Sequence, residues 1–116
     1  MTKTKEAMTL SFREGTLTLC PRGEIDHHTA RAIREEIDRQ LLAHKPSCFI
    51  LSLSGIHFMD SSGLGLILGR LAVCRRIGCP MHLTGAGERM LRIFAMAGLE
   101  RIEDLKIEGL TKEETR

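Results

Sequence analysis

The stretch Phe58-Met59-Asp60-Ser61-Ser62-Gly63-Leu64-Gly65-Leu66-Ile67-Leu68-Gly69-Arg70 forms the junction on which the organisation of the chain depends. It follows the almost unbroken apolar run 48–53, which predicts a strand that is buried on both faces. From Ser61 onward, apolar residues recur at helical spacing. The sequence therefore predicts a strand followed by a helix, with two serine hydroxyls where the helix begins.

A helix start of this kind favours negative charge. Its first turn carries N–H groups without an intrahelical partner and the positive end of the helix dipole. Asp60 or Ser61 can therefore serve as a plain helix cap. The junction alone leaves open whether these side chains only cap the helix or also carry a function.

The other apolar segments alternate between strand and helix patterns. Residues 8–12 and 17–20 predict a hairpin that turns at Gly15, and residues 81–84 and 102–107 predict two further strands. Residues 30–41 predict a helix capped by Asp26, and a third helix with Met90 and Phe94 inward is predicted to stop at Gly98. The end after residue 110 is predicted to fray. The fold class predicted for residues 1–116 is a single α/β domain, with a mixed sheet of four to five strands packed by three to four helices.

The helix after Ser61 carries apolar residues on two sides. The face predicted to pack in the core contains Leu64, Ile67, Leu68, Leu71 and Cys74. A second apolar stripe, where polar residues are expected, contains Leu66, Gly69 and Val73. Each glycine in a helix interior costs about 1 kcal/mol relative to alanine. The glycines of this helix fit either a close approach by another backbone or tight packing on the sheet.

The composition argues against several classes of protein. Lysine and arginine number 17, aspartate and glutamate number 15, and Trp and Tyr are absent, so nucleic-acid binding is not expected. No stretch approaches the roughly 20 apolar residues of a membrane span. Because the start also lacks the apolar block of a signal peptide, we expect a cytoplasmic protein without membrane contact. The four cysteines lack C-x-x-C spacing and are predicted to be reduced thiols.

Catalytic and nucleotide-binding functions find little support around Ser61. A nucleophile elbow reads G-x-S-x-G, but Ser61 lacks the first glycine and Ser62 lacks both. No phosphate-binding G-x-x-x-x-G-K-[ST] loop is present, and Gly63-Leu64-Gly65 lacks the third glycine of a dinucleotide fingerprint. We therefore expect a non-catalytic protein without a cofactor, with nucleotide binding kept as an alternative.

A metal site is a rival interpretation of the loops that precede the first two helices. The residues that suggest it are Asp26, His27, His28, His57 and Asp60. Adjacent histidines in an extended segment point apart, so at most one of the pair would bind a metal. Helix capping explains the two aspartates more simply, and no metal is expected.

A serine that receives a phosphoryl group would gain about −1.5 to −2 charge at a helix start.

Two motifs resemble those of a known family. They are Gly23-Glu24-Ile25-Asp26-His27-His28-Thr29-Ala30 and Phe58-Met59-Asp60-Ser61-Ser62-Gly63-Leu64-Gly65 through Gly69-Arg70. They look like the anti-sigma factor antagonists of the STAS family, most closely the branch that acts on the anti-sigma F factor in spore-forming bacteria. The resemblance covers nearly the whole chain, including residues 92–99, and weakens after Glu108.

The resemblance implies a partner-switching function. Ser61, the first serine after Asp60, corresponds to the family's phosphorylated serine. The implied partners are an anti-sigma factor that is itself a serine kinase using Mg-ATP, and a phosphatase of the PP2C type. A general-stress sigma pathway is the alternative to the sporulation pathway. The docking surface is predicted to contain Asp26, His27, Asp60, Ser61, Ser62, Gly63, Leu64 and Leu66.

Overall fold

The structure is a computed structural model that describes residues 2–5 and 8–110. The described elements, in chain order, are β1 (Thr2–Lys5), β2 (Met8–Arg13), β3 (Thr16–Pro21), β4 (Gly23–Ile25), α1 (His27–His44), β5 (Cys48–Ser52), β6 (Ile56–Met59), α2 (Ser61–Arg76), β7 (Met81–Ala86), α3 (Glu88–Met96), a 3-10 turn (Leu99–Arg101) and β8 (Leu105–Gly109). The predicted fraying of the chain end lies outside these residues.

The main sheet has six strands in the order β1-β2-β3-β5-β7-β8. Strands β1, β2 and β3 are antiparallel, and β3, β5, β7 and β8 are parallel. The predicted α/β class and mixed sheet are confirmed. The sheet exceeds the expected four to five strands because β1 pairs with β2, although the sequence TKTK shows none of the apolar alternation that marks a strand.

One face of the main sheet packs into the core. Side chains on that face are fully buried in the central strands, namely Leu17, Leu19, Phe49, Leu51, Met81 and Leu83. The alternate positions Thr18, Ile50 and His82 are only half-buried. The prediction that 48–53 is buried on both faces is therefore wrong, because burial alternates along β5, with Phe49 and Leu51 fully buried and the alternate residues of the strand half-buried.

Helix α2 is rotated relative to the prediction. Its buried residues are Gly63, Leu66, Ile67, Arg70, Leu71 and Cys74, which follow helical spacing along one face. The inward position predicted for Leu68 is wrong, since 43 % of this side chain is exposed. Leu66 is 5 % exposed and packs in the core. The sequence is apolar on both sides of this helix, so spacing alone does not decide which side faces inward.

The three glycines of α2 have different surroundings. A Cβ at Gly63 would overlap the Met59 side chain, so here the tight-packing explanation is confirmed. At Gly65 and Gly69, by contrast, a Cβ would meet no atom within 4 Å among the described residues. The fold itself therefore does not require glycine at these two positions.

The four cysteines are free thiols, as predicted. Cys74 and Cys79 are buried, and burial raises the pKa of Cys74 to about 12. No helix in the described part of the chain is long and apolar enough to cross a membrane.

Candidate functional site

Two short parallel strands bring the starts of α1 and α2 side by side. Strands β4 and β6 form a separate two-stranded sheet in which Ile25 pairs with Met59. The next residue in each strand is the N-cap of a helix, Asp26 for α1 and Asp60 for α2. The Asp60 N–H donates a hydrogen bond of 3.1 Å to the Ile25 carbonyl and ties the two junctions together. Both helix starts thus form one surface.

Asp26 caps α1 as predicted. Its Oδ1 accepts hydrogen bonds from the N–H groups of His28 at 2.9 Å and Thr29 at 3.0 Å. The Thr29 hydroxyl accepts a hydrogen bond from the Asp26 N–H in return, which completes a capping box. The Thr29 backbone hydrogen bond is the main cause that lowers the pKa of Asp26. The carboxylate is therefore negatively charged at neutral pH.

Ser61 is presented at the first turn of α2. Asp60 provides the cap, since its Oδ1 accepts a 2.8 Å hydrogen bond from the Ser62 N–H. Ser61 is exposed, and its hydroxyl makes no hydrogen bond to any residue that the structure describes. The plain-cap alternative therefore applies to Asp60 and not to Ser61. A modifying enzyme can approach this hydroxyl from solvent.

The histidines do not assemble a metal site with the aspartates. His27 and His28 lie in the first turn of α1, with ring centroids 4.1 Å apart, so the expectation that they point apart is wrong. His57 instead faces Glu24, with 3.7 Å between Nε2 and a carboxylate oxygen. Within residues 8–110, no group of three or more His, Cys, Asp or Glu side chains is arranged to hold a metal ion.

The structure brings most of the predicted docking residues to this surface. His27 and Ser61 are exposed, and Asp26, Asp60, Ser62 and Leu64 are half-buried. Gly63 and Leu66 are buried, so exposure does not support their predicted place on the docking surface, which stays a prediction. Gly63 packs on Met59, and Leu66 lines a groove.

That groove runs between α1 and α2 and is mainly basic. Its lining contains the arginines at 31, 34 and 70 and no acidic residue, together with His27, Ala30, Ser62, Gly65, Leu66 and Gly69. None of these three arginines was predicted to belong to the docking surface. Two exposed apolar side chains were also missed, Phe58 at 46 % and Leu68 at 43 % exposure.

The sequence is similar to those of known anti-sigma factor antagonists. A sequence model of the STAS domain matches residues 7–112. An anti-sigma F factor antagonist from Paenibacillus polymyxa is 33 % identical over 106 residues, covering 89 % of this chain and 91 % of the relative. An anti-sigma-B factor antagonist from Bacillus subtilis is 34 % identical over 89 residues, covering 75 % of this chain and 80 % of the relative.

Solved structures of the antagonist SpoIIAA share the fold. Its unphosphorylated form superposes with a TM-score of 0.70 at 26 % identity, covering 94 % of both chains. Its phosphorylated form from Bacillus gives a TM-score of 0.68 at 29 % identity, covering 94 % of this chain and 96 % of that one. The family model, the relatives and the fold agree, and the chain belongs to the STAS-domain family of anti-sigma factor antagonists.

Proposed function

We propose that the unphosphorylated protein binds an anti-sigma factor that is a serine kinase, and that phosphorylation of Ser61 switches this binding off. The observation that carries the proposal is the exposed Ser61 hydroxyl, free of hydrogen bonds to the described residues, at the paired helix starts. The likeness to SpoIIAA, whose structure is known in both phosphorylated and unphosphorylated forms, supports it.

The electrostatics of the site explain why a phosphoryl group would act as a switch. Phosphoserine carries about −1.5 to −2 charge at neutral pH. At position 61 this charge would lie beside the capping carboxylate of Asp60, on a surface that also carries Asp26. The Asp60 carboxylate already occupies the Ser62 N–H, so the new charge is less well compensated. We infer that phosphorylation repels acidic partner groups while the fold stays intact.

The partners follow from the same proposal. The kinase would transfer the γ-phosphoryl group of Mg-ATP to Ser61, and a phosphatase of the PP2C type would remove it. Docking would engage Asp26, His27, Asp60, Ser62 and Leu64, and the pathway would be that of sigma F. The identity of 34 % to an anti-sigma-B factor antagonist keeps the general-stress pathway as the second candidate. In this function the protein is a regulator in the cytoplasm and a substrate of both enzymes.

A binding titration against the cognate anti-sigma kinase tests the switch. We expect Ser61→Ala to bind as tightly as the unmodified protein, because the serine hydroxyl makes no contact that the fold needs. Phosphorylated protein and Ser61→Asp should bind at least about tenfold more weakly, which corresponds to about 1.4 kcal/mol.

The matched control is Ser54→Asp, which adds the same charge at an exposed serine outside both helix starts. This variant should bind like the wild type. Equal affinity of Ser61→Ala, Ser61→Asp and the phosphorylated protein would show that Ser61 does not control docking. Running the titration with both the sigma F and the sigma B anti-sigma factors distinguishes the two pathways.

A further inference from the structure

We propose that the basic groove between α1 and α2 binds an acidic side chain of the anti-sigma partner. This proposal rests on the docking function proposed above and adds the chemistry of one contact. The lining combines three arginines with no acidic residue. Arg31 and Arg70 each face a carboxylate outside the lining, which leaves Arg34 as a positive charge unpaired among the described residues, so the groove favours an anion. Ser62 belongs to the lining, which makes the groove continuous with the surface at Ser61.

Arg70 provides an independent indication of a ligand. Its side chain is 9 % exposed and lines the groove. Its Nε lies 3.0 Å from Asp38 Oδ1, but these two atoms are not aligned for a hydrogen bond, and Nη1 has no hydrogen-bond partner among the described residues. The ion pair with Asp38 offsets part of the cost of burying this guanidinium, but the desolvation of the N–H groups that lack hydrogen bonds is not fully compensated. A carboxylate that enters the groove would add a favourable charge interaction with this buried guanidinium.

Arg34 provides the accessible positive charge. It is exposed and forms no ion pair with the residues that the structure describes, whereas Arg31 faces Glu35 at 3.7 Å. Burial lowers the pKa of Arg70, and the negative charge of Asp38 acts in the opposite direction. The positive charge of Arg34 lowers this pKa further, so the guanidinium groups of Arg34 and Arg70, which both line the groove, interact electrostatically. Two neighbouring guanidinium groups repel each other, and a carboxylate between them relieves this repulsion.

The glycines of α2 leave the groove open. A Cβ at Gly65 or Gly69 would meet nothing within 4 Å among the described residues, and both glycines line the groove. A side chain here would narrow the path to the arginines. A carboxylate is small and planar and matches the paired N–H donors of a guanidinium, which makes aspartate or glutamate the best-fitting occupant.

The test compares charge variants of the full chain in binding titrations with the cognate anti-sigma kinase. Arg34→Glu should weaken binding at least about tenfold because it reverses the charge. Arg34→Gln, which only removes the charge, should weaken binding less, and Arg34→Lys, which keeps the charge but loses the two-pronged guanidinium, should weaken it least. The control is Arg101→Glu, an equal charge change at an exposed arginine outside the groove. Raising the salt concentration should weaken the wild type more than Arg34→Gln.

Arg34 is exposed, so these variants are expected to fold, and a thermal melt of each verifies this. If Arg34→Glu binds like the wild type while Ser61→Asp binds weakly, the groove proposal is overturned and the switch stands. If Arg34→Glu instead abolishes self-association without changing kinase affinity, the occupant is a second copy of the chain. If the wild type does not bind the kinase, both proposals fail.

Discussion

Gly69→Ala tests whether glycine at position 69 is required for the stability of the fold. Glycine in a helix interior costs about 1 kcal/mol relative to alanine. Gly69 lies within α2, and its added methyl group would meet no atom within 4 Å among the described residues. We therefore expect Gly69→Ala to raise the free energy of unfolding by about 1 kcal/mol and the melting temperature by about 4 °C. Urea unfolding and a thermal melt measure both quantities.

The same substitution at Gly63 should have the opposite effect. There the methyl group would overlap the Met59 side chain, and Met59 is only 8 % exposed. Overpacking costs about 1–3 kcal/mol, which outweighs the gain in helix propensity. Gly63→Ala is therefore a matched control on the same helix. Equal changes at Gly63 and Gly69 would refute the packing argument, because helix propensity alone would then explain both.

A larger side chain at position 69 tests whether Gly69 is needed for binding to the anti-sigma kinase. A larger side chain at Gly69 fills the groove beside Arg70, so Gly69→Leu should keep the fold and weaken binding to the anti-sigma kinase about tenfold or more. Gly69 would then be retained for docking at the expense of stability. A Gly69→Leu protein that binds the kinase as tightly as the wild type would refute this explanation.

Three further predictions concern single side chains. Asp60→Ala should lower the free energy of unfolding by about 1 kcal/mol, because the Ser62 N–H loses its acceptor, and urea unfolding measures this loss. The pKa of Asp26 is lowered in the folded protein, so its stabilisation is present above the ordinary value of 3.8 and is lost as the pH falls below it. Asp26→Asn should therefore lose less stability than the wild type between about pH 4 and pH 2, as followed by thermal melts. Cys74 and Cys79 should react slowly with a thiol reagent at pH 8, because both are buried and the pKa of Cys74 is raised to about 12. Cys20 and Cys48, which are only half-buried, should react faster, and equal reaction rates for all four thiols would contradict this difference in burial.

The helix starts were predictable because their signal is local. Asp26 and Asp60 each stand between an apolar run and a helical pattern, and each caps its helix in the structure. The hairpin turn is local as well, with Glu14 and Gly15 both at positive φ. The two short strands that precede the helix starts were missed. Strand β4 has three residues and β6 has four, too few for a reliable pattern, and their pairing is what places the two helix starts together.

The inward face of α2 could not be read from the sequence. The helix is apolar on both sides, and its true core face includes Arg70, a residue type that is seldom buried. Arg70 is positioned there through Asp38 on α1, a contact between residues far apart in the chain. The basic groove is formed by residues of both α1 and α2, so no local sequence pattern predicts it.

The most direct test of the central claim is to locate the phosphate. The protein is incubated with its cognate anti-sigma kinase and Mg-ATP, and the modified residue is identified by mass spectrometry of proteolytic fragments. We predict a single phosphate on Ser61, lost in Ser61→Ala and retained in Ser62→Ala, because the Ser61 hydroxyl is exposed and Ser62 is half-buried. Phosphate on Ser62, or on neither serine, would contradict the account.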